Sequence, residues 1–215
     1  MNIKHDQPAN VSSDGSLVIP ESVAQKYGVR AGIELRLEEK EDGIFLRKPI
    51  SHLAKVYIEP TSQCNLSCRT CIRNAWDEPM GQMTEVTFER ILSGIEALDY
   101  RPVIFFGGFG EPLFHPMIAD MVRRAKKASS KIELITNGML LTEERSRALI
   151  QAGLSTLWVS VDGASPESYA DIRIGAALPK IFQNIARYRD QFRLTMGGEP
   201  DIGLVFVAMK RNIAD

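Results

Sequence analysis

The sequence predicts an α/β protein: a partial (β/α) barrel of parallel strands preceded by a small, mainly-β N-terminal domain. Three observations predict it. From residue 55 onward, short apolar runs alternate with amphipathic helical stretches. The run Val103-Ile104-Phe105-Phe106 is apolar at every position, as strands covered on both faces are. Each predicted strand leads into a polar or glycine-rich stretch, and parallel α/β folds place their sites at those strand ends.

The first fifty residues read as a unit of their own. Asp14-Gly15 signals a turn ahead of the short apolar run Leu17-Val18-Ile19. Residues 21–28 have room for two helical turns, with Gly28 as the stop. Ile33, Leu35 and Leu37 then alternate with Glu34, Arg36 and Glu38, which is strand periodicity. Glu41-Asp42-Gly43 turns the chain, Ile44 and Leu46 alternate on the return strand, and Pro49 ends the unit. A unit of this size buries little surface alone, so it is expected to pair with another copy or with the rest of the chain.

The remaining chain, residues 51–215, repeats strand and helix. Val56-Tyr57-Ile58 is expected to form a short buried strand, and residues 84–98 place Phe88, Ile91, Leu92, Ile95 and Leu98 on one helical face. After the Val103–Phe106 strand, a helix over 117–129 turns Met117, Met121, Val122 and Ala125 inward and Arg123, Arg124, Lys126 and Lys127 outward. Ile132 to Ile135 form the next strand, followed by a helix capped by Thr142 and stopped by Gly153. Leu157 to Val161 form a fourth strand. A helix over 178–192 then carries Leu178, Ile181, Phe182, Ile185 and Tyr188 on one side, and Ile202 to Val207 form the fifth strand. Five such units do not close a barrel of about eight. The sequence therefore reads as cut after its fifth strand, with the wall that would hold a substrate lying beyond it.

Composition narrows the functional classes. The 215 residues are 44% hydrophobic and 25% charged with a net charge of −1, so no chain-wide field for nucleic acid exists. No apolar run approaches the ~20 residues that cross a bilayer, and the N-terminus lacks a signal-peptide core. The three cysteines, an odd number gathered in one motif, do not form a disulfide framework. A reducing, cytoplasmic setting is expected.

The chemistry gathers at the strand ends. Cys64-Asn65-Leu66-Ser67-Cys68-Arg69-Thr70-Cys71 follows the first main-domain strand, and Gly107-Gly108-Phe109-Gly110-Glu111-Pro112 the second. Thr136-Asn137-Gly138 follows the third and Ser160-Val161-Asp162-Gly163 the fourth. Structural zinc wants four closed ligands, whereas this chain offers three thiols, and His5, His52 and His115 have no ligand spacing. Thiolates also hold iron–sulfur clusters, and three of them on a four-iron cube leave one iron open.

Cys64-x3-Cys68-x2-Cys71 after one strand and Gly-Phe-Gly-Glu-Pro after the next resemble the radical S-adenosylmethionine (SAM) superfamily, over residues 55–215. The resemblance implies a [4Fe-4S] cluster on Cys64, Cys68 and Cys71, with SAM chelating the fourth iron through its amino and carboxylate groups. By that resemblance, one electron would cleave SAM and release a 5′-deoxyadenosyl radical. It implies that the backbone at Gly108 and Gly110 approaches the methionine part of SAM and that Glu111 accepts a hydrogen bond from its ammonium. Ser160, Asp162 and Arg173 (in Tyr169-x3-Arg173) match segments that meet SAM polar groups, and Asn137 lines the site. Thr70 departs from the pattern, since many members carry an apolar or aromatic residue there. A ferredoxin or flavodoxin is the implied electron donor.

The Gly-Phe-Gly-Glu-Pro and Ser-Val-Asp-Gly stretches look most like the SPASM/twitch-like subgroup that modifies peptides and matures enzymes. No cysteine follows Cys71, so no auxiliary cluster can be held here through cysteine. Residues 15–20, 27–35 and 43–49 resemble the AbrB-like swapped-hairpin domain, which implies an intertwined homodimer through residues 1–50. Those residues carry seven Lys/Arg against eight Asp/Glu, a poor balance for phosphate neutralisation and hence for DNA. The combination resembles radical SAM maturases of tungsten-dependent aldehyde oxidoreductases, with a peptide, protein or cofactor precursor as substrate. The competing expectation is a DNA-binding regulator in which the cluster senses iron or redox state.

Overall fold

A computed structural model describes residues 9–27, 29–47, 53–98 and 100–214. The chain divides into two compact units, Met1–Ser51 and His52–Asp215. In the first, β1 (Asn10–Val11) and β2 (Leu17–Val18) form a short hairpin. Its turn is closed by Ser16 N–H donating to Asp14 Oδ1 (2.9 Å), and Gly15 supplies the positive φ of 84°. Helix α1 (Glu21–Tyr27) leads to a second hairpin of β3 (Arg36–Lys40) and β4 (Gly43–Arg47). Among the described residues, regular pairing runs from Arg36 opposite Arg47 to Lys40 opposite Gly43. The Gly28 stop and the Pro49 terminator lie outside the described residues. No described side chain of this unit is buried: Val11, Leu17, Val18, Leu37 and Ile44 all stand exposed.

The second unit is a five-stranded parallel sheet in the order β5 (Lys55–Ile58), β6 (Val103–Phe106), β7 (Ile132–Thr136), β8 (Thr156–Ser160) and β9 (Asp201–Val205). All four pairings are parallel, so every strand points its carboxyl end to the same rim. The connections carry α2 (Glu85–Glu96), α3 (Ile118–Ala128), α4 (Glu143–Ala152), α5 (Pro166–Ile172) and α6 (Leu178–Met196). The core is continuous between sheet and helices: Ile58, Ile104, Phe106, Leu134, Leu157 and Val159 meet Phe88, Leu92, Val122, Leu149 and Ile181.

The helix ends follow local chemistry. Thr84 caps α2 and Thr142 caps α4 through their side-chain oxygens, and Gly153 ends α4 in the left-handed conformation (φ 84°, ψ 33°). Helix α5 is an addition to the expected elements. At seven residues, with only Tyr169 and Ile172 buried, it has too little apolar periodicity to declare itself; a Ser165–Ser168 capping box and Pro166 in the first turn hold it.

Four side chains depart from their expected places, the first being Tyr57, which is exposed because β5 is the edge strand of the sheet and only Ile58 in it is fully buried. Met117 is exposed because it caps α3, ahead of the first regular turn. Phe182 lies just past the buried Ile181 and remains exposed, while Ile185 and Tyr188 continue the inward stripe. Arg124 is not simply solvated. It lies over the Phe88 ring at 5.2 Å and pairs with Glu85, Glu89 and Asp120, tying α3 to α2. Among the described residues, no helix is long and apolar enough to cross a membrane.

Candidate cluster and SAM site

The cysteine loop leaves the end of β5 and is held by backbone on three sides. Ser62 N–H donates to Gly81 O (3.0 Å) and Met83 N–H to Pro60 O (2.7 Å), bracing its start. Ser67 N–H reaches Ile174 O (3.1 Å) and Arg69 N–H reaches Ile172 O (3.0 Å), pinning its middle to the end of α5. Glu111 N–H donates to Gln63 O (2.8 Å), joining the loop to the stretch after β6. Leu66 is buried beneath the loop, and all three cysteines are free thiols.

Gly110 permits that last junction. A Cβ on Gly110 would stand 1.8 Å from the Thr61 carbonyl oxygen, so the backbones touch where a side chain would otherwise sit. Gly108 takes a positive φ of 156°, and a Cβ there would strike the Glu59 side chain. Both glycines are therefore required by protein packing at the rim, before any approach to a ligand is considered. Glu59 accepts N–H donors from Phe109 (2.6 Å) and Gly110 (3.0 Å), which orients the glycine stretch.

Glu111 is 2% exposed. Its Oε1 accepts from the Thr136 hydroxyl (2.7 Å) and Leu113 N–H (3.0 Å), and its Oε2 from Asn137 N–H (2.7 Å). Burial pushes its carboxyl above the ordinary range, against the pull of these donors. A carboxylate has about four acceptor positions, so one remains on Oε2. Asn137 in turn donates to Asn65 Oδ1 (2.9 Å) and directs the same amide toward Cys64 Sγ (3.7 Å), while Met139 N–H closes a turn onto its Oδ1 (2.9 Å). Burial raises the Cys64 and Cys68 thiols.

On the other side of the rim, Asp162 Oδ2 receives both Nε (2.7 Å) and Nη2 (2.6 Å) of Arg173. Its Oδ1 receives Val207 N–H (3.0 Å), and its backbone oxygen receives the Asn212 amide (2.9 Å). The Arg173 guanidinium also reaches Cys68 Sγ at 4.0 Å. A cavity of about 300 Å³ opens at the carboxyl ends of the strands. Cys64, Cys68, Cys71, Gly108, Gly110, Glu111, Asn137, Ser160, Asp162 and Arg173 all line it, so every site residue expected from the sequence meets in one place. Two participants went unread there. Glu59 stands one residue past β5 at the rim, and Arg73 stands two residues past the last thiol, a cation beside three anion precursors. Both spacings are visible in the sequence once the rim is known to be the site.

The donor set fits a cluster. Three free thiols share the cavity, with two guanidiniums within reach of their sulfurs. Among the described residues no three His, Cys, Asp or Glu side chains are grouped as around a single ion. A cube offers a separate iron to each thiolate.

A parallel β/α half-barrel with this site defines a class of cofactor-binding enzymes, and the comparisons agree. The chain matches the radical SAM superfamily over residues 58–201 and belongs to it. Its cofactors are accordingly a [4Fe-4S] cluster and SAM. It is 33% identical over 161 residues to the tungsten-containing aldehyde ferredoxin oxidoreductase cofactor-modifying protein of Pyrococcus furiosus, covering 73% of this chain and 44% of that protein. It is also 33% identical over 116 residues to the AdoMet-dependent heme synthase of Methanosarcina barkeri, covering 54% of this chain and 33% of that one. The chain thus spans less than half the length of these curated relatives. Among solved structures, Streptococcus suis SuiB bound to its precursor peptide SuiA superposes with a TM-score of 0.59 at 18% identity, over 76% of this chain and 36% of that one. BtrN in complex with AdoMet and 2-DOIA gives 0.53 at 20% identity, over 72% and 56%. Both share its fold.

Proposed function

We propose that this chain is the cluster- and SAM-binding part of a radical SAM enzyme that matures another enzyme or its cofactor. The observation that carries the reading is the single rim cavity, where three thiols, the glycine stretch and the Asp162–Arg173 pair converge from different strands. Cys64, Cys68 and Cys71 would hold the cluster. Gly108, Gly110, Glu111, Asn137, Ser160, Asp162 and Arg173 would face SAM. When bound, the pair supplies one-electron reductive cleavage of SAM, chemistry that belongs to the cofactors.

The chain's own contribution is orientation and seclusion. Glu111 locks the ends of β6 and β7 together and keeps one acceptor position for an ammonium group. Asp162 holds Arg173 by two hydrogen bonds, leaving Nη1 to face the cavity side near Cys68. The similarity to the Pyrococcus cofactor-modifying protein supports a maturase of a tungsten-type aldehyde oxidoreductase; its substrate would be a peptide, protein or cofactor precursor and its electron donor a ferredoxin or flavodoxin.

The test is anaerobic loading with iron and sulfide, then reduction in the presence of SAM. Chromatography is expected to find 5′-deoxyadenosine and methionine in equal amounts. A fully clustered protein that yields no more than the metal-free chain sinks the reading. The regulator alternative predicts instead tight, salt-sensitive DNA binding that follows cluster loading.

The first unit we assign to dimerisation, in the manner of an AbrB-like hairpin module. Its exposed Val11, Leu17, Val18, Leu37 and Ile44 support this, since a small unit with no buried side chain among its described residues gains stability by pairing. Sedimentation is expected to show a dimer for the full chain and a monomer after deletion of residues 1–50. A full chain that sediments as a monomer refutes the assignment.

A further inference from the structure

Two arginines approach the thiols, and their situations differ. Arg173 is committed to Asp162, so its charge is matched by a buried carboxylate. Arg73 makes no ion pair with a carboxylate among the described residues. Its guanidinium spreads instead across the cysteine loop itself. Nε–H donates to Cys71 Sγ (3.3 Å), Nη2 to Leu66 O (2.7 Å) and Nη1 to Ser62 O (3.4 Å). One planar group thereby joins residues on both sides of Cys64 to the last cysteine. The three thiols are the groups around it that become anionic on ligation, and a guanidinium keeps its positive charge throughout. Next to it, the Asn74 amide donates to Cys68 O (2.8 Å), and Cys71 N–H donates to the same carbonyl (3.1 Å), which tightens the segment from which Arg73 reaches back.

We propose that Arg73 is a positioning and potential-setting residue of the cluster, a clamp that fixes the loop and holds a positive charge against the Cys71 sulfur. The inference rests on the ligation by Cys64, Cys68 and Cys71 proposed above. Its physical content is twofold. Hydrogen bonds to ligating sulfur and nearby positive charge stabilise the more negative, reduced cluster, so they raise its reduction potential. Fastening Ser62 O and Leu66 O to the group that touches Cys71 orders the loop ahead of loading, as outer partners of metal ligands do. Lysine at this position would keep the charge but could not span three acceptors in fixed directions.

The experiment compares full-length wild type, Arg73→Gln and Arg73→Lys after anaerobic reconstitution. Iron and sulfide are counted, the midpoint potential is read by potentiometric titration with EPR detection, and iron loss to a chelator is timed. Arg73→Gln is expected to show a more negative midpoint and to lose iron about tenfold faster or more. Arg73→Lys is expected to keep a potential nearer wild type yet lose iron faster. Wild-type potential and wild-type iron retention in Arg73→Gln overturn the proposal. If Arg73→Gln retains no iron, Arg73→Lys decides: faster loss than wild type supports the clamp, and wild-type values of both quantities overturn it. A wild-type protein that takes up no iron defeats the ligation reading itself, and the clamp with it.

Discussion

Each of Cys64→Ala, Cys68→Ala and Cys71→Ala is expected to leave a folded protein without an intact cluster. Removing a residue that merely orients a metal ligand already costs about 10–100-fold in affinity or activity. Removing a ligand is therefore expected to cut SAM cleavage by at least about 100-fold. The three thiols would act as one unit, so a double variant should fall no further than a single one. Folding is a separate matter. Cys64 and Cys71 are half-buried, and even the buried Cys68 belongs to a surface loop, so the metal-free variants should unfold within about 1 kcal/mol of the metal-free wild type. Iron and sulfide counts, taken beside thermal melts, separate the two effects. Full iron content in any one variant would remove that cysteine from the ligand set.

The second large effect is expected from Gly110→Ala, and it is a packing effect. The new methyl would lie 1.8 Å from Thr61 O, 2.6 Å from Thr61 C and 2.8 Å from Gln63 O. All three obstacles are backbone, so no side chain can rotate away. The cysteine loop would have to separate from the stretch after β6, breaking the Glu111 N–H bond to Gln63 O and displacing Cys64. Overpacking of this kind costs about 3 kcal/mol or more, which for a chain of this length lowers the melting temperature by about 6–12 °C. Gly94→Ala is the control. It lies on the exposed side of α2, where an added Cβ meets nothing within 4 Å, and it is expected to stabilise by about 0.5–1 kcal/mol. A Gly110→Ala protein with wild-type melting and cluster content would show that the two loops separate without cost.

Sequence and structure agree where one physical rule dominates. Strands such as Val103–Phe106 and Leu157–Val159 bury one face (Ile104, Phe106, Leu157, Val159) and partly cover the other, so apolarity alone marks them, and parallel pairing then sends every polar strand end to one rim. That is why stretches as far apart in the chain as Cys64 and Asp162 are legible as one site, whereas Arg173, at the end of α5, is legible only through its resemblance to a family segment. The remainder depends on partners that no local pattern names. Arg73 looks like any surface cation until the carbonyls of Ser62 and Leu66 are placed beneath it. Gly110 reads as a ligand-facing glycine, and no local pattern shows that the Thr61 carbonyl also packs against it. Arg124 lies in a basic run that resembles a solvated face, and only the packing of α2 brings Phe88 beneath it.

The way the cysteine loop is sheltered has a consequence for how the protein is made. The loop is close-knit in sequence, yet its covering groups are remote: Asn137 lies 73 residues beyond Cys64, and Arg173 lies 105 beyond Cys68. At ordinary rates of synthesis the three thiols leave the ribosome about 5–20 s before Arg173 does. For that interval they lack the Asn137 and Arg173 side chains that stand beside Cys64 and Cys68 in the folded chain. If the three thiols are the cluster ligands, loading after release would meet a sheltered loop and loading during synthesis an open one, so timing as well as geometry would govern which metal they hold.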